Sequence, residues 1–214
     1  MAWTAPSTFV AGAILTAAQL NTNVRDNTLA GGPIYATEAL RDAAITSPFE
    51  GQRAYITGST VAAATGLVTA VPTGIQTIYN GAAWVCVTPV ASDTITGGTT
   101  TSLTYTPTLT SGGTNPSVTI STGTTALVSW GATMLSPATG IGIFVAVAVS
   151  GATTQAASDN LSPSAEIGYY LSVQTSLVFT GLTAGTNTFT LQYRLNTAGT
   201  MTALRRRLVV QGIA

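Results

Sequence analysis

The stretch Ile141-Gly-Ile-Phe-Val-Ala-Val-Ala-Val149 decides the fold class of this chain of 214 residues. It is apolar, much shorter than a membrane-spanning helix and rich in β-branched residues, so we interpret it as a buried strand. Both faces are apolar, whereas a two-layer sandwich buries only one face of each sheet. We expect a neighbouring subunit to cover the second face, with a loop of the same chain as the alternative. The residues assigned to this seam are Ile141, Ile143, Val145 and Val147.

The same stretch belongs to a longer segment, residues 91–214, in which strand patterns alternate with Gly and Pro turns. No charged residue occurs from Thr94 to Ser158, yet recurrent β-branched runs argue against a disordered tract. Eight short strands in about 120 residues predict a jelly-roll-like β-sandwich. The candidates are residues 102–106, 117–121, 126–134, 141–149, 166–173, 176–180, 188–195 and 202–210.

Residues 34–90 form a smaller connecting unit in this interpretation. Asn80-Gly81 is a strong signal for a two-residue hairpin turn, because both central positions of such a turn need a positive φ. Pro89 ends the unit. We therefore predict a small β-hairpin module with one helical turn. Its expected elements are a helical turn at 37–44 and strands at 52–57, 74–79 and 82–88.

Residues 1–33 are predicted to be an anchor with one short helix. Thr16 is the expected N-cap, Gln19 completes a capping box, and Gly31-Gly32-Pro33 ends the helix. A narrow 3-4 stripe along the helix suits a coiled-coil seam, in which a polar residue fixes register or oligomer number. The alternative is a lone helix that packs on its own chain or on a neighbouring protein. The stripe is formed by Ala17, Leu20, Val24 and Asn27.

The residue inventory excludes most catalytic classes. The chain has no His and no Lys, which excludes Ser-His-Asp and Cys-His catalysis, His-ligated metals, P-loops and Schiff bases. Cys86 is the single cysteine, so an intrachain disulfide is excluded as well. Asp159 and Glu166 are the close carboxylate pair of the sandwich, and a glycosidase dyad or a calcium site there is the weaker alternative. We expect no enzyme activity, no cofactor and no metal.

Charge is scarce and balanced. Charged residues make up 7% of the chain and the net charge is zero, so neither nucleic acid nor an anionic membrane is an expected partner. All basic side chains are arginines, and three of them stand together at Arg205-Arg206-Arg207.

Arg206 is the notable member of this run. Strand alternation places it on the same face as Leu204, Leu208 and Val210. An arginine on an apolar face needs a partner, and we predict Glu166 or Asp159 of the same or a neighbouring subunit. The alternative is a solvated edge with a snorkelling side chain.

Three stretches resemble structural proteins of tailed bacteriophages. The opening, Trp3-Thr-Ala-Pro6 with Leu15-Thr-Ala-Ala-Gln-Leu-Asn-Thr-Asn-Val-Arg-Asp-Asn27, is similar to the start of many of them. The middle, Ser47-Pro-Phe-Glu-Gly-Gln-Arg-Ala-Tyr-Ile56 with Ile78-Tyr-Asn-Gly-Ala-Ala-Trp-Val85, resembles a hairpin module of minor tail and fibre proteins. The end, from Leu182 through Arg194 and from Arg205 to Val210, resembles the last strands of trimeric TNF/C1q-like jelly rolls on phage fibres.

The resemblance implies a virion component made in the host cytoplasm. Its expected form is a homotrimeric fibre, spike or minor tail protein whose N-terminus binds other virion proteins. Two alternatives are a capsid decoration protein and a receptor-binding module for a host-surface glycan. The candidates for stacking on a sugar are Trp130, Tyr169, Tyr170 and Tyr193, although aromatic residues in strands belong more often to the core.

Overall fold

The computed structural model describes Thr16 and residues 32–59, 74–136, 138, 140–166 and 168–214. Strands dominate this part of the chain, as the sequence predicts, and the mainly β fold with a jelly-roll-like sandwich is confirmed. The predicted N-terminal helix lies outside the described residues. In the described part, no helix is long and apolar enough to cross a membrane.

A small sheet comes first along the chain. Strand β1 pairs in parallel with β2, and the remaining pairs are antiparallel in the order β1-β2-β3-β4. Thr37 caps the α-helix that follows β1 through a bond from the Leu40 amide to its Oγ1 at 3.2 Å. The elements are β1 (Ile34–Tyr35), α1 (Glu38–Ala44), β2 (Arg53–Ile56), β3 (Ile75–Tyr79) and β4 (Trp84–Cys86).

The expected hairpin is present, but its loop has four residues instead of two. Tyr79 lies opposite Trp84, so residues 80–83 form the turn. The Asn80 side chain explains the longer loop, because its Oδ1 accepts from the amides of Ala82 and Ala83 at 3.1 and 2.9 Å. Gly81 has a φ of +88°, a conformation that suits glycine.

Two larger sheets form the sandwich. One has the order β10-β9-β12-β7 and the other β11-β8-β13-β5, with β6 also pairing with β13. This two-sheet arrangement of antiparallel strands is that of a jelly roll. The strands are β5 (Val90–Thr94), β6 (Gly98–Thr100), β7 (Ser117–Thr122), β8 (Thr125–Leu135), β9 (Ile143–Gly151), β10 (Ser164–Ala165), β11 (Tyr170–Thr180), β12 (Gly185–Leu195) and β13 (Met201–Ile213).

The core lies between these two sheets. Alternate residues of each strand point inward, and most of them are less than 3% exposed. Trp130, Phe179 and Phe189 form an edge-to-face chain across the sandwich, with ring centroids 6.0 and 6.1 Å apart. These contacts combine apolar burial with the favourable edge-to-face geometry of aromatic rings.

The strands differ from the sequence prediction in several places, including the short β1 and β10, which the sequence does not predict. The predicted strands at 166–173 and 176–180 are one strand, β11, because it pairs with β8 over the whole of Tyr170–Thr180. Residues 102–106 are not a regular strand, and the short β6 precedes them. The sequence does not predict β5, because Pro89 marks the end of the connecting unit just before it.

The small sheet packs directly on the sandwich. The Ser121 hydroxyl of β7 donates to the carbonyl of Trp84, and the Gln211 amide of β13 donates to the carbonyl of Val87 at 2.8 Å. Gly212 allows this approach, because a Cβ there would lie 2.5 Å from a methyl of Val85. The division of the chain at residues 33 and 90 stays a prediction.

Candidate functional site: the open face of the five-stranded sheet

Strand β9 does not present the predicted subunit seam. Ile143, Val145 and Val147 are completely buried within the single chain, where they face the opposite sheet beside the inward residues of β12. They therefore have no apolar surface left for a second subunit, which corrects their assignment as seam residues. Ile141, the fourth assigned residue, precedes the strand and is half-buried against the same core.

The other face of β9 is covered by the chain itself. The Arg194 guanidinium lies 4.5 Å from the centre of the Phe144 ring, and its Nε donates to Asp159 Oδ1 at 2.7 Å. Tyr105 closes the cluster by donating its hydroxyl to the same oxygen at 2.9 Å. The alternative of a cover from loops of the same chain is thus the observed one.

Charge and burial shift the pKa values of this cluster. The hydrogen bond from Arg194 lowers the pKa of Asp159. Burial raises the pKa of Tyr105 to about 12. Asp159 is accordingly an ionised partner of an arginine, and Glu166 is exposed. Within the described residues, no group of three or more His, Cys, Asp or Glu side chains could hold a metal ion.

Arg206 is fully buried, and its partners differ from those predicted. Its Nη2 donates to the carbonyls of Thr96 and Gly112, and its Nη1 donates to Asn115 Oδ1 at 3.3 Å. Neither Glu166 nor Asp159 of this chain binds it. Backbone carbonyls at the β5–β7 connection take that role because the chain loops over the buried guanidinium there.

The residues that share a face with Arg206 also need one correction. A β-bulge between Leu204 and Arg207 adds one residue to β13 relative to β8. Arg206 therefore shares the inner face with Leu208 and Val210, as predicted, while Leu204 lies on the outer face. Sequence alternation alone does not reveal a bulge, since an extra residue reverses the pattern on one side of it.

The outer face of the five-stranded sheet is the open surface of the sandwich. Leu127 of β8 and Val178 of β11 are cross-strand neighbours there, with 37% and 54% of their surfaces exposed. Ile213, at the end of β13, is 40% exposed. It lies opposite Thr125, two residues before Leu127 on β8. This apolar group occupies one end of a face whose middle is polar.

The middle of that face is a groove of about 620 Å³. Its floor is Gly131, which lies in one cross-strand row with Gln174 of β11 and Arg207 of β13. Hydroxyl pairs border the glycine on both sides: Ser129 with Ser176 at 2.7 Å, and Thr133 with Ser172 at 2.9 Å. Arg205 and Arg207 line the edge on β13.

Sequence reasoning missed this face. Alternation along a strand puts Arg205 and Arg207 on the side opposite Arg206, but it does not place Gly131 or Gln174 beside them. The signal present in the sequence is the row of small and hydroxyl-bearing residues at alternate positions of β8 and β11, which leaves space above the sheet.

The other predicted contact residues differ in their exposure to solvent. Leu20, Val24 and Asn27 lie outside the described residues. Glu166 is exposed ahead of β11. Trp130 and Tyr193 are buried in the core, whereas Tyr169 and Tyr170 are 65% and 57% exposed, so only the second pair is accessible to a sugar.

Comparisons with known proteins give weak likenesses. No family model matches the chain, and no curated protein matches it. Among solved structures, the Eiger TNF of S. frugiperda is similar with a TM-score of 0.39 and 15% identity, over 59% of this chain and 93% of that one. A carbohydrate-binding module of Cellvibrio mixtus lichenase 5A, solved with cellotriose, has a TM-score of 0.24 and 13% identity, over 77% of this chain and 92% of that one.

Proposed function

We propose that this chain is a structural component of a tailed-bacteriophage particle and works as a homotrimer without enzymatic activity. In this proposal the N-terminus binds neighbouring virion proteins and the β-sandwich is the exposed head. The resemblance of the N-terminal and middle stretches to phage structural proteins supports the location. The open face of the five-stranded sheet supports the assembly.

The exposed pair of Leu127 and Val178 is the observation that carries the assembly proposal. Large apolar side chains that meet on an open sheet face mark interaction sites more often than scattered ones do. The next residue pair on this face, Ser129 with Ser176, is uncharged, so two copies that approach each other at the apolar end lose few hydrated ions there. On the outer face of the opposite sheet, the Phe144 ring is covered by Arg194, which is held by Asp159.

Light scattering on the full chain tests the assembly. We expect a mass of three chains, and a shift to one chain on the double substitution Leu127→Asp and Val178→Asp. Both positions are exposed, so the monomer should remain folded by circular dichroism. Ser150→Asp is the matched control, because Ser150 is exposed on strand β9 of the other sheet. A wild-type monomer would contradict the homotrimer and favour a decoration protein bound to a larger lattice.

The location is tested separately by antibody labelling of purified phage particles under the electron microscope. Labels on tail or fibre positions support the fibre reading, and labels spread over the capsid support a decoration protein. Absence of labelling on intact and on disassembled particles would contradict a virion role.

The second candidate function is recognition of a host-surface glycan. The exposed neighbours Tyr169 and Tyr170 favour it, because an accessible aromatic face can stack on the C–H face of a sugar. Binding to a glycan array that is lost on Tyr169→Ala with Tyr170→Ala would support this function. Phe49→Ala is the control, since Phe49 is also exposed but lies in the small unit. Binding that survives the tyrosine substitutions would place recognition elsewhere.

A further inference from the structure

The bulge in β13 places two arginines on one side of the sheet. Arg205 has a φ of +49°, a left-handed conformation that among the described non-glycine residues is shared only with Ser111. Such conformations carry strain and concentrate at bulges and functional sites. Arg205 and Arg207 are both exposed at the groove, while Arg206 points to the core on the opposite side.

The groove beside these arginines exists because its floor has no side chain. A Cβ on Gly131 would lie 2.4 Å from the Val173 carbonyl oxygen and 2.9 Å from the Gln174 Cβ. The close approach of β11 therefore requires glycine at this position, and the missing side chain also leaves the volume above the sheet empty. The resulting groove of about 620 Å³ is much larger than the volume of one water molecule, so it has room for a small ligand.

The lining of the groove is rich in hydrogen-bond donors. Each guanidinium of Arg205 and Arg207 has five N–H groups, and the Gln174 amide adds two more. The Ser129–Ser176 pair contains two hydroxyl hydrogens and uses one for its mutual bond, and the same is true of Thr133–Ser172. One hydroxyl hydrogen of each pair is therefore left to donate to a ligand.

Among the residues that the structure describes, acidic side chains do not balance the charge of the groove. Neither Arg205 nor Arg207 forms a hydrogen bond or an ion pair with any of the residues described. One carboxylate lies near them: Asp93 of β5, which is directly opposite Arg207 in the strand register and 5% exposed. Two guanidinium groups against one carboxylate leave a local charge of about +1.

We propose that this groove binds an oxyanion, a carboxylate, sulfate or phosphate group, held by Arg205 and Arg207 with the flanking hydroxyls and the Gln174 amide. Planar guanidinium groups bind such anions through paired charge-assisted hydrogen bonds. The anion supplies the acceptors and the negative charge that the lining lacks. Its source is either a free inorganic ion or the acid group of a sugar.

This inference deepens the proposed assembly, since the groove lies on the face that a second copy would cover. Burial of two guanidinium groups without sufficient negative charge opposes association. A bound oxyanion removes that penalty, so it should favour the trimer. Anion binding itself needs only one chain, and it can therefore be tested apart from the trimer.

The experiment measures thermal unfolding and light-scattering mass of the full chain in sodium sulfate, sodium phosphate and sodium glucuronate. Sodium chloride at matched ionic strength is the reference. We expect each oxyanion to raise the unfolding midpoint by about 3 °C near saturation. The combined Arg205→Gln and Arg207→Gln variant should lose this shift. Arg53→Gln, an exposed arginine of the small sheet, should keep it.

The outcomes separate the two proposals. A saturable shift that is lost only in the groove variant supports the site, whatever the mass. A larger shift with glucuronate than with sulfate identifies a sugar acid, and the reverse order identifies an inorganic ion. A shift that persists in the groove variant is a general salt effect and overturns the site, as does no shift at all. A monomeric mass with a retained, arginine-dependent shift contradicts only the trimer.

Discussion

The Arg194 guanidinium lies 4.5 Å above the ring of Phe144 and binds the carboxylate of Asp159. This relationship explains why the most apolar strand of the chain needs no second subunit. The stem and the planar head of an arginine cover apolar surface well, while its charge stays near solvent and a carboxylate. In the proposed trimer, the contacts would therefore involve the open face of the other sheet, where Leu127 and Val178 are exposed.

Substitution of Asp159 should weaken this cover to a small extent. The side chain of Asp159 is 46% exposed, so water screens the pair and the expected loss for Asp159→Asn is about 0.5 kcal/mol. The hydrogen bond from Arg194 holds the pKa of Asp159 below the usual range of an aspartate. The stabilisation is therefore present above pH 4 or so and is lost as the pH falls through the folded-state pKa.

Urea unfolding of the wild type and of Asp159→Asn at pH values from about 2 to about 7 measures this difference, because carboxyl groups titrate within that range. The two curves should differ at neutral pH and converge in acid. A difference that grows in acid would show that Asp159 is not held ionised by Arg194. Glu166→Gln is the control, because Glu166 is exposed and forms no ion pair with Arg194.

Substitution of Arg206 should have a much larger effect. In Arg206→Ala, the carbonyl of Gly112 loses a buried donor and a cavity forms in the core, so we expect a loss of about 3 kcal/mol. Arg206→Met fills most of the volume and should lose less. Chemical unfolding checks both variants, and equal stability of Arg206→Ala and the wild type would contradict the structural role of this guanidinium.

Gly131→Ala should destabilise the sandwich as well as fill the groove. The added Cβ would lie 2.4 Å from a backbone oxygen of β11, which cannot move without loosening the strand pairing. We expect a loss of about 2 kcal/mol, measured as a lower thermal midpoint. Gly168→Ala is the matched control, since no atom lies within 4 Å of its added Cβ. Equal effects of the two substitutions would show that Gly131 is not a close contact.

Cys86 should be unreactive in the folded protein. It is 1% exposed, and burial raises the pKa of its thiol from 9.0 to about 11. Because thiolate is the reactive form, the fraction available near neutral pH falls about 100-fold. A thiol reagent should therefore modify Cys86 slowly in buffer and rapidly in denaturant. Rapid modification in buffer would indicate that the contact of β4 with the sandwich opens easily.

Local sequence patterns determined the strands that follow simple rules. Thr188–Leu195 and Ser117–Ser121 alternate inward and outward residues, so their positions could be predicted to within a few residues of β12 and β7. The Asn80-Gly81 hairpin was predictable for the same reason, because turn chemistry is local. The length of its loop was not, since the Asn80 side chain replaces two backbone partners.

The candidate site depends on pairing between distant strands. Gly131 and Gln174 are far apart in the sequence and meet only because β8 and β11 pair in one register. The bulge after Leu204 is likewise a property of the pairing of β13 with β8, and it decides which residues share a face with Arg206.

The sequence by itself determined that the chain is mainly β, with little charge and without the residues of common catalytic sites, because composition and short-range periodicity carry that information. Only the tertiary structure decided which apolar surface is already covered. Coverage depends on which loop folds over which strand, and the contact of Arg194 with Phe144 and Asp159 joins residues from three separate segments. Such contacts are set by strand register and sheet packing, which no local pattern specifies.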